Sequence, residues 1–226
     1  MSSSAIFSGV VASVSASSNA TCFNNCNGTA TATGTGGVTP YSYNWSTTPA
    51  QNTQTATGLC AGTYTVTITD ASGCPDTASV TIAQPQMLVI AAIPDDTICF
   101  GQSSTLTAFV TGGTPAYTYV WNPGNLSGST VTVSPTVTTI YTVSVTDANG
   151  CAAQNQTVQV HVNGPLGVNC NAGVAICIGN SAPLTANASG GNGGPYTYTW
   201  QPGNMTGSNV SVNPTSTTTY TVTVDD

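Results

Sequence analysis

A run of glycines, a proline and three aromatic residues occurs three times in this chain. It reads GGVTPYSYNW at residues 36–45, GGTPAYTYVW at residues 112–121 and GNGGPYTYTW at residues 191–200. The three tryptophans that end these runs are 76 and 79 residues apart. A spacing of this length is typical of small domains in series, so the sequence predicts a repeat array.

Each of these runs is followed by a segment in which apolar and hydroxyl residues alternate. The segments are TYTVTITD at residues 63–70, IYTVSVTD at residues 140–147 and TYTVTVDD at residues 219–226. A period of two predicts half-buried strands, with Val66 and Ile68 facing a core in the first of them. The turns Asp-Ala-Ser-Gly and Asp-Ala-Asn-Gly that follow the first two predict hairpins, and no segment shows a helical period.

The Tyr-x-Tyr-x-Trp pattern places three aromatic side chains on one face of a strand, where the core of a β-sandwich needs bulk. We therefore interpret it as a core strand rather than as an exposed platform for sugar rings. The first tyrosine of each run stands at the entrance of the strand. Tyr41, Tyr117 and Tyr196 are thus candidates for exposed aromatic side chains.

Two short seams that contain proline follow alternating strands, AQPQ at residues 83–86 and NGP at residues 163–165. They divide the chain into an N-terminal strand or linker (1–10) and three domains, which we call the first (11–85), second (86–163) and third (164–226) repeats. We expect the third repeat, as far as the sequence extends, to lack its last strand. The predicted fold is all-β, with tandem Ig-like or PKD-like antiparallel sandwiches in a rod-like array.

The charge composition excludes several functions. The chain has seven Asp, one His and no Lys, Arg or Glu. Without cations it cannot neutralise nucleic-acid phosphates or anionic lipids, and no segment is long enough for direct membrane insertion. Convergent acid, base and nucleophilic groups are missing as well, since His161 alternates outward on a strand, so we predict no enzyme, no cofactor and no metal. A calcium site at Asp95 and Asp96 is the alternative to a turn role for these residues, and the turn role is favoured.

Eight cysteines indicate disulfide bonds and an oxidising, extracellular setting. Two sets occupy equivalent positions, one 22 or 23 residues before each tryptophan and one ten residues after the tyrosine of an alternating strand: Cys22, Cys99 and Cys177, then Cys74 and Cys151. This pattern predicts the bonds Cys22–Cys74 and Cys99–Cys151, which leaves Cys26–Cys60. In the third repeat the sequence leaves two alternatives open. Cys170 and Cys177 either form a bond with each other, or their thiols are free or form intermolecular disulfides.

The first repeat contains C-x3-C, GGVTPYSYNWS and TGLCAGTYTVTITDASGCPDTASVTIAQP, and it resembles the SprB-type repeats of giant surface adhesins in gliding Bacteroidota. The second and third repeats open with ICFGQSSTLTA and ICIGNSAPLTA and resemble the PKD/Ig-like domains that accompany such repeats. The resemblance implies antiparallel sandwiches, type IX secretion, a cell-surface location and a role in adhesion or gliding motility. Since neither an export signal nor the sorting domain of that family is recognised, we expect a piece of a longer protein.

The same resemblance implies O-glycans, which Bacteroidota attach at Asp-Ser/Thr-apolar triplets. Asp76-Thr77-Ala78 and Asp96-Thr97-Ile98 fit this pattern. Thr77 and Thr97 are therefore candidate glycosylation sites.

Two functions follow from these observations. The first is a non-enzymatic structural and adhesive segment that makes weak multivalent contacts with surface polysaccharide or other cell-surface material. The alternative is a subunit of an extracellular filament that binds copies of itself. In that case the apolar segment AIFSGVVASV at residues 5–14 would complete the open third repeat of a neighbouring chain by β-strand addition.

Overall fold

The computed structural model describes residues 9–226, and all regular secondary structure in that range is β-strand. The predicted all-β class is therefore confirmed. The chain forms two compact units. One extends up to Ala91 and includes residues 108–120 and 143–156, and the other comprises residues 92–107, 121–142 and 157–226.

The first repeat contains six strands in two three-stranded sheets. The strands are β1 (Val10–Ser18), β2 (Gly28–Gly36), β3 (Ser42–Trp45), β4 (Thr55–Leu59), β5 (Gly62–Thr69) and β6 (Pro75–Ile82). One sheet has the order β1-β2-β4 and the other the order β3-β5-β6, and neighbouring strands are antiparallel. This arrangement is a β-sandwich.

The core of the first repeat lies between these sheets. Trp45 is 1% exposed and stands opposite Val66, and both Val66 and Ile68 are fully buried, as the alternating pattern predicts. The indole Nε1 of Trp45 donates a hydrogen bond to the carbonyl of Thr53 over 3.0 Å, so burial of the ring leaves no polar atom unsatisfied.

The second repeat contains nine strands. They are β7 (Val89–Ile90), β8 (Asp96–Cys99), β9 (Ser104–Thr107), β10 (Val110–Thr111), β11 (Thr118–Asn122), β12 (Leu126–Ser127), β13 (Thr130–Val133), β14 (Thr139–Thr146) and β15 (Gln156–Asn163). Five of them form a sheet in the order β12-β11-β14-β15-β8, and β10-β7 and β13-β9 form two-stranded sheets. β8 runs parallel to β15, and Trp121 is fully buried.

The third repeat contains six strands in two sheets. They are β16 (Gly167–Cys170), β17 (Ala182–Ser189), β18 (Thr197–Gln201), β19 (Met205–Thr206), β20 (Asn209–Val212) and β21 (Thr221–Asp225). The sheet orders are β16-β17-β20 and β19-β18-β21. Trp200 is 2% exposed, so this repeat also has a tryptophan core.

The apolar segment near the N-terminus belongs to the first sheet. Residues 10–14 lie in β1, where Val10 stands opposite Gly36 of β2 and Ala12 donates its N–H to Asp76 over 2.8 Å. The hypothesis that residues 5–14 form an unpaired strand is therefore wrong for residues 10–14, because their hydrogen bonds are made within the chain. Residues 5–8 lie outside the described part.

At the start of each aromatic run two consecutive glycines with positive φ make a corner, and these pairs are Gly36–Gly37, Gly112–Gly113 and Gly190–Gly191. At Gly113 the backbone φ is +61°, and an added Cβ would lie 2.9 Å from the Asp147 carboxylate and 2.9 Å from Leu88. At Gly112 an added Cβ would lie 1.9 Å from the carbonyl oxygen of Met87. The pair is needed both for its backbone angle and for this close approach.

Gly150 offers a control for the steric part of this argument, since it also has a positive φ, +79°, but an added Cβ would meet open space. We expect Gly113→Ala to lower the free energy of unfolding by about 1–3 kcal/mol more than Gly150→Ala, because only Gly113→Ala adds overpacking to backbone strain. Denaturant unfolding of both variants checks this. Equal losses of stability would contradict the proposed close packing at the corner.

Candidate functional site

A buried carboxylate organises the turn that follows β14. Asp147 is 5% exposed, and its Oδ1 accepts hydrogen bonds from the N–H groups of Asn149 and Cys151, each over 2.9 Å. Its Oδ2 accepts the N–H of Thr114 over 2.8 Å, which joins the turn to the glycine corner. One side chain therefore fixes both the corner and the position of the cysteine.

Asp70 does the same in the first repeat. Its Oδ1 accepts the N–H of Ser72 over 3.0 Å and that of Cys74 over 2.8 Å, and its Oδ2 accepts the N–H of Val38 over 3.1 Å. The two turns thus have the same hydrogen-bond pattern.

These bonds change the acidity of both carboxyl groups. The N–H of Cys74 lowers the pKa of Asp70, and burial opposes that effect. At Asp147 burial raises the pKa, but the N–H groups of Thr114, Cys151 and Asn149 together outweigh it, so the pKa lies below its usual range. Both groups are therefore charged acceptors at neutral pH.

The turn cysteine of the second repeat is bonded to the first repeat. Cys151 forms a disulfide with Cys22 across 129 residues of sequence, with the two Cα atoms 5.7 Å apart. The predicted pairs Cys22–Cys74 and Cys99–Cys151 are therefore wrong, and Cys74 and Cys99 are free and exposed. The spacing correctly identifies equivalent cysteines in the repeats. Cys22, however, bonds the turn cysteine of the second repeat instead of Cys74 in the turn of its own repeat.

The other cysteines follow the sequence more closely. Cys26 and Cys60 are bonded, as predicted. Cys170 and Cys177 are both free and exposed, so of the two open alternatives the structure has free thiols.

Polar contacts surround the Cys22–Cys151 bond. The Nδ2 of Asn149 donates to the carbonyl of Thr21 and to the hydroxyl of Thr114, each over 3.1 Å. A cleft of about 340 Å³ lies beside the bond and is lined in part by Phe23 and Met87. Hydrogen bonds and a covalent bond therefore join the first and second repeats at this junction.

From the sequence, the first tyrosine of each aromatic run is a candidate for an exposed side chain. In the structure all three of these tyrosines are half-buried. The hydroxyl of each tyrosine donates to the carbonyl of the first glycine of the corner. The three bonds are Tyr41 to Gly36 over 2.5 Å, Tyr117 to Gly112 over 2.7 Å and Tyr196 to Gly190 over 2.8 Å. The phenol of this tyrosine therefore closes the glycine corner in each repeat.

The remaining candidate residues lie apart from this junction. Thr77 on β6 and Thr97 on β8 are exposed, and so is His161, whose Nδ1 is 3.2 Å from the hydroxyl of Thr138. Asp95 accepts the N–H of Gln159 over 2.7 Å and Asp96 accepts the hydroxyl of Ser104. Both carboxylates thus have structural partners.

The outer face of β5 and β6 is lined by paired hydroxyl groups. Thr63 is 3.1 Å from Thr81, and Thr65 is 2.9 Å from Ser79, measured between the hydroxyl oxygens. This face is polar and carries no charged side chain at these positions.

Within residues 9–226 no group of three or more His, Cys, Asp or Glu side chains is arranged to hold a metal ion. Over the same residues no helix has the length and apolar character required to cross a membrane.

One protein family matches the chain at three places, residues 14–49, 91–126 and 175–205. Each match includes the first equivalent cysteine and the core tryptophan of its repeat. Three segments of the chain match the SprB repeat family. The resemblance of the first repeat is confirmed, and the SprB match extends to the second and third repeats, which we expected to be related Ig-like modules.

Solved structures with similarity to the chain include tandem Ig domains. An I-band fragment of titin has a TM-score of 0.42 and 12% identity, covering 89% of this chain and 82% of that chain. The N-terminal eight Ig domains of the Down syndrome cell adhesion molecule give 0.40 and 15%, covering 85% of this chain and 34% of that chain. This chain therefore spans about a third of the length of that structure. Among curated proteins, none matches the chain.

Sequence reasoning missed the role of Asn149 and the destination of Cys22. A signal for the first was present, since the second repeat has Asn where the first has Ser72 in the same turn. The spacing of the cysteines does not reveal the partner of Cys22, because an offset within a repeat does not show which repeat supplies the partner.

We expect acid to weaken the fold through Asp147 and Asp70. Because folding lowers the pKa of each group, its stabilising contribution is present above the unfolded value, about 3.9, and is lost as the pH falls through the folded value. Asp147→Asn keeps the size of the side chain but replaces one acceptor oxygen with a donor facing N–H groups. This variant should melt at a lower temperature at pH 7 and lose less stability between pH 5 and pH 2 than the unmodified chain.

Calorimetry at several pH values measures both effects. Asp225→Asn is the matched control, because that side chain is exposed at the end of β21. If Asp147→Asn and Asp225→Asn had the same pH dependence, Asp147 would not hold the turn as described.

Proposed function

We propose that this chain is a non-enzymatic structural and adhesive segment of an extracellular repeat protein at a cell surface, active in adhesion or gliding motility. The observation that carries this proposal is the Cys22–Cys151 bond between the first and second repeats, each of which contains a match to the SprB repeat family. Disulfides persist in oxidising, extracellular settings. A covalent bond between consecutive repeats also suits a protein that must transmit force without separation of its domains.

The surface chemistry supports contact with neutral partners. The hydroxyl pairs on β5 and β6 can exchange hydrogen bonds with polysaccharide hydroxyl groups, and the chain has no cation with which to attract anionic ligands. Single contacts of this type are weak because water competes for them. Attachment would then depend on many repeats acting together.

Thr77 and Thr97 remain our proposed O-glycosylation sites. Both side chains are exposed on strands, so a glycan could be attached without unfolding either strand. Secretion through the type IX pathway belongs to the same proposal and is supported by the SprB matches.

A filament subunit is the second candidate function, and a cleft in the third repeat favours it. The cleft has a volume of about 830 Å³ and lies beside Leu184, Trp200 and Val212. It runs past β16 and the segment before β17, and a strand added there could cover these apolar side chains. Polymers that resist reducing agents and disappear on deletion of residues 1–9 would support this candidate.

Adhesion can be tested with beads that carry the chain at different densities. Because the chain has no lysine, amine coupling attaches every copy through its N-terminus alone. We expect retention on a film of bacterial extracellular polysaccharide to rise steeply with density, while free monomer binds weakly. No retention at any density, relative to beads with an inert protein, would contradict the proposal.

The double variant Cys22→Ser/Cys151→Ser tests the mechanical role of the bond. Its beads should detach at lower shear than beads with Cys74→Ser, which alters an exposed free cysteine and serves as the matched control.

A further inference from the structure

The Cys22–Cys151 bond closes a covalent loop that contains most of the first and second repeats. The two cysteines are separated by 129 residues. β2 to β6 of the first repeat and β7 to β14 of the second lie inside this loop, so β1 and β15 are the described strands of these repeats that lie outside it. Residues 23–150 are therefore covalently joined to the rest of the chain through this pair of cysteines.

Tension applied along the chain from outside this loop has two covalent routes from Cys22 to Cys151. One is the disulfide, across which the Cα atoms are 5.7 Å apart. The other is the loop, which would have to extend to about 450 Å, at roughly 3.5 Å per residue, before it became taut. The disulfide is the taut route at every extension, so it carries the load and the loop carries none.

The route through the bond is short at both of its ends. β1 ends at Ser18, four residues before Cys22, and β15 begins at Gln156, five residues after Cys151. Load thus passes from β1 through the disulfide to β15 without running along any other strand of the first two repeats.

The two strands on this route are held to the loop by hydrogen bonds. β1 pairs with β2 along its length, and Ala12 of β1 donates its N–H to the carboxylate of Asp76 on β6 over 2.8 Å. β15 pairs in parallel with β8, and Gln159 of β15 donates its N–H to Asp95 over 2.7 Å. Each sandwich is thus complete as long as these bonds hold.

We propose that the Cys22–Cys151 bond is a mechanical bypass, which carries tension past residues 23–150 and keeps the first and second repeats folded while the chain is under load. The protected segment contains the buried tryptophans Trp45 and Trp121 and the hydroxyl pairs of β5 and β6. Small single-core domains are only marginally stable, so tension along their backbone would otherwise unfold them. This function goes beyond adhesion and does not depend on any ligand.

A second disulfide inside the loop limits the length that loss of the bypass would release. Cys26 and Cys60 are bonded across 34 residues. While that bond is intact these residues cannot extend either, so loss of the Cys22–Cys151 bond would release about 330 Å of chain instead of about 450 Å. The two lengths distinguish the states of the chain in a stretching experiment.

The first measurement stretches the full chain in an optical trap. One handle is attached to the N-terminal amine, which is unique because the chain has no lysine, and the other to a short tag added after Asp226. We expect the fully stretched Cys22→Ser/Cys151→Ser variant to be about 330 Å longer than the unmodified chain. The matched control Cys74→Ser/Cys99→Ser changes two exposed free cysteines and should equal the unmodified chain. Equal lengths of the unmodified chain and the Cys22→Ser/Cys151→Ser variant would overturn the proposal.

The second measurement shows whether the protected repeats are folded under load, and it needs no variant. The unmodified chain is held at a set tension until its length is constant, and a dithiol reductant is then added. One thiolate of the reductant attacks a sulfur of the Cys22–Cys151 bond and releases the other protein sulfur as a thiolate. The second thiolate of the reductant then displaces the first protein sulfur and closes a cyclic disulfide. Two protein thiols form after proton uptake, and the dithiol loses two electrons.

This measurement is repeated at increasing tensions. The exposed Cys26–Cys60 bond is reduced as well, so the chain should lengthen by about 450 Å. Over a range of tensions we expect this gain in separate, delayed steps, because each folded repeat begins to unfold only when the load reaches it. A single immediate step at every tension that gives any gain, or no gain at any tension, would overturn the proposal. Since no ligand takes part, such a failure is distinguishable from a failure of adhesion.

Discussion

The buried aspartate of the hairpin turn is the interaction on which the rest of the structure depends. In a chain whose only charged residues are seven Asp, Asp147 collects N–H groups from its own turn and from the glycine corner. A carboxylate with several backbone donors is a strong acceptor, because the bonds are charge-assisted. The corner that it fixes positions the half-buried Tyr117, and the strand that follows carries the fully buried Trp121.

The same turn also presents a cysteine outward. Because Cys151 follows the turn directly and its N–H is bound by Asp147, its sulfur lies at the junction where it meets Cys22. The turn that stabilises the sandwich of the second repeat therefore also connects this repeat to the first. With few large apolar residues in each repeat, a bond that closes a long loop adds stability that the small cores cannot supply alone.

Much of this fold is predictable from local patterns. The alternation around Val66 and Ile68, the Asp-x-x-Gly turns and the buried tryptophans all follow from side-chain periodicity and turn chemistry, which act over a few residues. The pairing of Cys22 is different, since it depends on how one repeat meets the next. The half-buried tyrosines were missed for a similar reason, because the acceptor of each hydroxyl is a backbone carbonyl of the glycine corner, which a residue pattern does not display.

Disulfide mapping tests the central claim most directly. Trypsin has no site in a chain without Lys or Arg, but cleavage before aspartate releases peptides 1–69, 70–75 and 147–224, which separate Cys22, Cys74 and Cys151. The structure predicts that unreduced protein yields peptide 1–69 linked to peptide 147–224, with 70–75 free. Recovery of 1–69 linked to 70–75 would show instead that each repeat is closed on itself, and would contradict the covalent junction between repeats.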